Sequence, residues 1–217
     1  MTDLNQEMTL EWYVGEIAGH TPGALSALVP PSYAAFARVL NPVRTPEGRR
    51  LRWSDLVGRS MTLDSATQWS DIVSAVHPDP NRYYEPESGT LDREVALRLS
   101  TILLEHTKSR DFMFFVWEGY SSLLDEVLAT PTIIIGQQRV MHVRRGGLES
   151  ALEPIDSPPN RLAMNWLPND GAWFVGNEIY ARSVFVAGTA AAVGAVLKEP
   201  GLETYQVRPG SLMVPED

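Results

Sequence analysis

Apolar residues return at helical spacing between Leu91 and Leu103, where Leu91, Val95, Leu99, Ile102 and Leu103 share one face. Thr90 stands where a cap belongs. Asp92 and Glu94 bring negative charge to the helix start, and Lys108 and Arg110 bring positive charge to its end. Leu97 and Leu104 widen the stripe, which predicts a well-buried helix. The period then changes. Asp111 to Trp117 is dense in aromatics, with Phe112, Phe114, Phe115 and Trp117, and reads as a central strand. Ser122 to Leu128 predicts a short helix. Thr132 to Ile135 and Arg139 to Arg144 predict a hairpin around Gly136-Gln137. In Trp166-Leu-Pro-Asn-Asp-Gly-Ala-Trp173, the Asn-Asp-Gly word marks a turn between two strands. Ser183 to Val186 continues as a strand. Thr189 is placed to cap an almost wholly apolar helix, Ala190 to Leu197, which Pro200-Gly201 stops. Thr204 to Val207 predicts an edge strand.

The N-terminal half carries a local echo. Trp53-Ser-Asp-Leu-Val57 returns as Trp69-Ser-Asp-Ile-Val73. Ser54 and Ser70 stand at expected N-caps, with Asp55 and Asp71 in the first turns of two short helices. Thr9 to Ile17 reads as a short strand or one helical turn, and Ala24 to Val29 as a short helix. Tyr33 to Leu40 has helical spacing at Tyr33, Phe36, Ala37 and Leu40. It also runs into the turn word Thr45-Pro-Glu-Gly48 and on to Arg49 to Trp53, which favours a strand in a hairpin. His77 to Gly89 is a loop, and Gly146 to Asn160 is loop-rich.

Strands and helices mix without a strand–helix–strand cadence. This predicts an α+β fold: one domain over 1–217, with a mixed, mostly antiparallel sheet packed against helices. Residues 1–8 and 213–217 are expected to be frayed tails.

Composition narrows the chemistry. The chain has 217 residues and no cysteine, which removes disulfides, thiolate catalysis and the usual structural zinc sites. Its net charge of −9 opposes a phosphate backbone, so nucleic acid is not an expected partner. The basic runs Arg49, Arg50 and Arg52, and Arg144 with Arg145, read as solvated hairpin edges. No apolar stretch reaches the ~20 residues of a membrane span, and the start of the chain lacks a signal-peptide pattern, so a soluble cytoplasmic protein is expected.

No catalytic motif is present. There is no Gly-x-Ser-x-Gly, no Walker loop and no dinucleotide fingerprint. His20, His77, His106 and His142 show no metal-ligand spacing, and neither a metal nor a cofactor is expected. The candidate ligand-binding residues are Trp117, Glu118, Trp166, Trp173 and Glu178. Glu118 and Glu178 each end or follow an aromatic strand, in Trp117-Glu-Gly-Tyr120 and Gly176-Asn-Glu-Ile-Tyr180. Carboxylates beside buried rings can be shifted toward acid or base duty, and paired acids with tryptophans describe a sugar cleft. The simpler reading has the acids in solvent and the indoles in the core.

Three words carry a resemblance: Val29-Pro-Pro-Ser-Tyr-Ala-Ala-Phe-Ala-Arg-Val-Leu-Asn-Pro42, Arg52-Trp-Ser-Asp-Leu-Val57 and Trp166-Leu-Pro-Asn-Asp-Gly-Ala-Trp-Phe-Val175. They resemble an uncharacterised family of soluble proteins of high-GC Gram-positive bacteria, which implies no particular activity. Pro31-Ser-Tyr-Ala-Ala-Phe36 is also similar to the SUKH proteins, whose members include immunity proteins of toxin systems. The expected function is a non-catalytic binding protein with a basic protein partner for its acidic surface. The alternative is a hydrolase of small molecules or carbohydrates using Glu118 and Glu178.

Overall fold

The structure is a computed structural model that describes residues 2–20, 23–136 and 139–212. It is an α+β fold in one domain, built on an eight-stranded antiparallel sheet. The strands of that sheet are β1 (Ala35–Leu40), β4 (Phe112–Trp117), β5 (Thr132–Ile135), β6 (Arg139–Gly146), β7 (Asn165–Pro168), β8 (Trp173–Asn177), β9 (Ser183–Gly188) and β10 (Glu203–Val207). They lie in the order β10-β1-β9-β8-β7-β4-β6-β5. A separate two-stranded ribbon joins β2 (Val43–Arg44) and β3 (Arg50–Leu51). The helices are α1 (Thr2–Ile17), α2 (Trp53–Val57), α3 (Trp69–Val76), α4 (Arg93–Leu104), α5 (Asp125–Leu128) and α6 (Ala190–Lys198), with 3-10 turns at Leu25–Ala27 and Leu148–Leu152.

Helices cover both faces of the sheet, so central strands are apolar on both sides. In β4, Phe112, Phe114 and Val116 join the core beneath α4 and α6, while Met113 and Phe115 join the core beneath α1. Tyr13 of α1 packs its ring 5.2 Å from Phe115 and 4.9 Å from Phe174. A third, smaller core gathers Leu40, Val43, Trp53, Val57, Trp69 and Ile72 around α2 and α3. The echoed tryptophans meet there, with ring centroids 5.5 Å apart.

The structure corrects several expectations. Thr2–Ile17 is one helix rather than a frayed tail followed by a short strand or turn, because Tyr13 and Ile17 dock on the sheet. β1 is a strand, but it pairs with β9 and β10, and the turn at Thr45–Gly48 closes only the β2–β3 ribbon. Trp53 and Trp69 are themselves the first helical residues. The caps are therefore Arg52 and Gln68, whose backbone N–H groups donate to Asp55 (3.0 Å) and Asp71 (2.8 Å). Asp92, not Thr90, caps α4, accepting from the N–H of Glu94 at 2.7 Å and Val95 at 3.4 Å. Leu97 and Leu104 are exposed, since α4 lies on the surface of the sheet with one face outward. α4 also ends at Leu104, before His106, Lys108 and Arg110, and has no basic residue in its last turn. Thr189 caps α6 as expected, accepting from Ala192 at 3.2 Å. Residues 213–217 lie outside the described residues.

Candidate functional site

Phe36, Arg38 and Leu40 alternate along β1 and share one face of the sheet. Phe36 belongs to the α1-side core and Leu40 to the small core around Trp53. Arg38 falls at the seam between them. There a pocket of about 410 Å³ opens, a size within the roughly 300–1,000 Å³ common for small-molecule sites. Ile17, Ala27, Leu28, Ile135, Phe185 and Val207 form its apolar wall. Arg38, Gln68, Arg139, Glu178 and Ser211 are among its polar members.

Strand geometry forces Arg38 inward, and the fold satisfies its guanidinium with oxygens. Its Nε donates to Ser183 Oγ at 2.9 Å, and its Nη1 to the carbonyls of Thr67 (2.7 Å) and Ser65 (3.1 Å). Nη2 reaches Gln68 Oε1 at 3.2 Å. Only 3% of the residue is exposed. The loop before α3 is thereby tied to the sheet through a buried charge. A buried cation is tolerated when its hydrogen bonds are met.

Arg139 opens β6 and Glu178 follows β8, with β7 and β4 between those two strands in the sheet. Their side chains nonetheless form an ion pair through Arg139 Nη2 and Glu178 Oε1. Glu178 Oε2 also accepts the N–H of Tyr180 at 2.7 Å, which fixes the turn into β9. Among the described residues, Glu178 is the only hydrogen-bond partner of the Arg139 side chain.

Of the residues singled out from sequence, Glu178 alone lines this pocket. Glu118 is exposed and outside it, with its backbone N–H bonded to Val140 at 3.1 Å. Trp117 is half-buried beside Tyr120, with ring centroids 5.3 Å apart. Trp166 and Trp173 are fully buried in the core under α4 and α6, on the other face of the sheet. Their indole N–H groups donate to Ala163 (3.1 Å) and Leu103 (2.9 Å) carbonyls. None of the six tryptophans lines the pocket; its aromatic members are Phe185 and Tyr180. Arg38 and Arg139 were the residues that sequence reasoning passed over. The available signal was Arg38 itself, a charge inside the apolar run Ala35-Phe-Ala-Arg-Val-Leu40.

No histidine lines the pocket. His142 is buried on β6, and its ring nitrogens find no hydrogen-bond partner among the described residues. No group of three or more His, Cys, Asp or Glu among the described residues is arranged to hold a metal ion. None of the helices among them is long and apolar enough to cross a membrane. Within the basic runs, Arg50 pairs with Asp92, Arg144 pairs with Glu153, and Arg52 donates to the Pro200 carbonyl.

No protein-family model, curated protein or solved structure matches the chain.

Proposed function

We propose that the protein is a non-catalytic binding protein and that the pocket beside Arg38 holds a small ligand with an apolar body. The supporting observation is the composition of the wall. It is mainly apolar, and among the described residues its only Asp or Glu is Glu178, already engaged by Arg139. A glycosidase-type mechanism needs two carboxyl groups across one cleft, and Glu118 does not line this one. The hydroxyls of Ser65, Ser183 and Ser211 line it without a histidine to serve as base.

The test is titration with the neutral fluorophore N-phenyl-1-naphthylamine. The expected result is saturable binding at one site, lost in Ala27→Trp, which fills the pocket while leaving the circular dichroism of the protein unchanged. Equal binding by a folded Ala27→Trp protein would place the site elsewhere.

A further inference from the structure

Resting on that reading, we infer that the ligand of the Arg38 pocket is an amphipathic anion: an apolar body carrying one carboxylate or phosphate head. The chain as a whole has a net charge of −9, yet among the described residues the pocket's charged lining is two guanidinium groups and one carboxylate. This described lining therefore carries a local excess of one positive charge on an acidic protein. Asp64, the acid near Arg38, is exposed and outside the lining. Its carboxyl is held below the usual range, first by the Ala66 N–H and then by the Thr67 hydroxyl.

The two arginines have different roles. Arg38 is locked by Ser183, Ser65, Thr67 and Gln68, so it acts as a fixed positive wall. Arg139 keeps 28% of its side chain exposed, and Glu178 keeps 15%. A planar guanidinium offers five N–H donors, and Glu178 engages one terminal nitrogen of Arg139. The head group of a bound anion takes the remaining edge of Arg139, while Ile17, Leu28, Phe185 and Val207 receive the apolar body. Glu178 opposes that anion as a like charge and limits its affinity. A ligand with a cationic head would meet both guanidinium groups and is disfavoured on the same ground.

The experiment is isothermal calorimetry with octanoate, octyl phosphate, octanol and octylammonium at constant ionic strength. Octanoate or octyl phosphate should bind, octanol more weakly and octylammonium least. The relative affinities of the two anions identify the head group. Replacing Arg139 by Gln should weaken the preferred anion about tenfold or more, as expected for loss of a charge-assisted hydrogen bond, and leave octanol unchanged. Glu178→Gln should strengthen the anion, a gain that a merely destabilised fold does not produce. Binding of octanol or octylammonium as tight as that of the anions overturns the anion assignment while the pocket remains the site. Absence of binding by all four probes overturns the pocket reading and the anion with it.

Discussion

The carboxylate of Glu203, at the head of edge strand β10, accepts the backbone N–H of Trp53 at 2.6 Å. Its second oxygen takes the N–H of Ser54 at 3.0 Å. A strand from the end of the chain thus satisfies two orphan donors of α2 and sets a negative charge against the start of that helix. Glu203→Ala should destabilise the protein by about 1–2 kcal/mol, the range for loss of a cap with charge-assisted bonds. Urea unfolding at neutral pH measures it, and a change below the fitting error would show that solvent replaces Glu203 without cost.

The echoed helices give a paired comparison. Asp55 and Asp71 receive the cap N–H groups, while Ser54 and Ser70 are exposed helical residues beyond the caps. Asp55→Ala and Asp71→Ala should each cost about 1 kcal/mol. Ser54→Ala and Ser70→Ala should fall within about 0.5 kcal/mol of no effect, as for ordinary surface positions. The opposite ranking would restore the serines as caps.

This offset shows what was legible from sequence. Helix starts at the two Trp-Ser-Asp words were readable because caps and first-turn acids are local chemistry. Their exact phase was not, because it depends on both tryptophans turning into one small core. β4, the β5–β6 hairpin and the β7–β8 turn were readable for the same local reason. α1 was not, since its buried residues Tyr13 and Ile17 are few and their partners Phe115 and Phe174 lie far along the chain. The partners of β1 were equally hidden, because strand character is local and pairing is not. The pocket depends on both failures. It brings Arg38 of β1, Arg139 of β6 and Glu178 after β8 to the end of α1, a meeting that only the strand order reveals.

Asp92 joins three elements. Its side chain is fully buried, caps α4, and meets Arg44 of β2 and Arg50 of β3. Arg44 Nε lies at 3.1 Å and Arg50 Nε at 3.3 Å. Asp92→Ala removes the cap and both ion pairs and should cost about 2–4 kcal/mol. Asp92→Asn retains an oxygen for the helix N–H groups and should cost less. Thermal unfolding of the two variants checks the order; equal losses would mean that the cap oxygen contributes nothing beyond the charge.

Alkali should unfold the protein through its buried phenols. Burial raises the pKa of Tyr13 above the ordinary 10.0, with the Asn165 hydrogen bond opposing in part. Burial also raises Tyr33, helped by the charges of Asp170 and Glu16, and raises Tyr120, partly opposed by Arg161. A raised folded-state value means that the native protein keeps these protons while the unfolded chain releases them. Their contribution is therefore intact below pH 10.0 and is lost as pH climbs beyond it. Each phenol removes roughly 1.4 kcal/mol of stability per pH unit in that window. Ultraviolet titration should show Tyr13, Tyr33 and Tyr120 ionising only together with loss of tertiary circular dichroism. Tyr13→Phe should move that transition to higher pH, because it removes a proton that only the unfolded chain gives up. A transition that stays in place would exclude Tyr13 as a source of the alkaline instability.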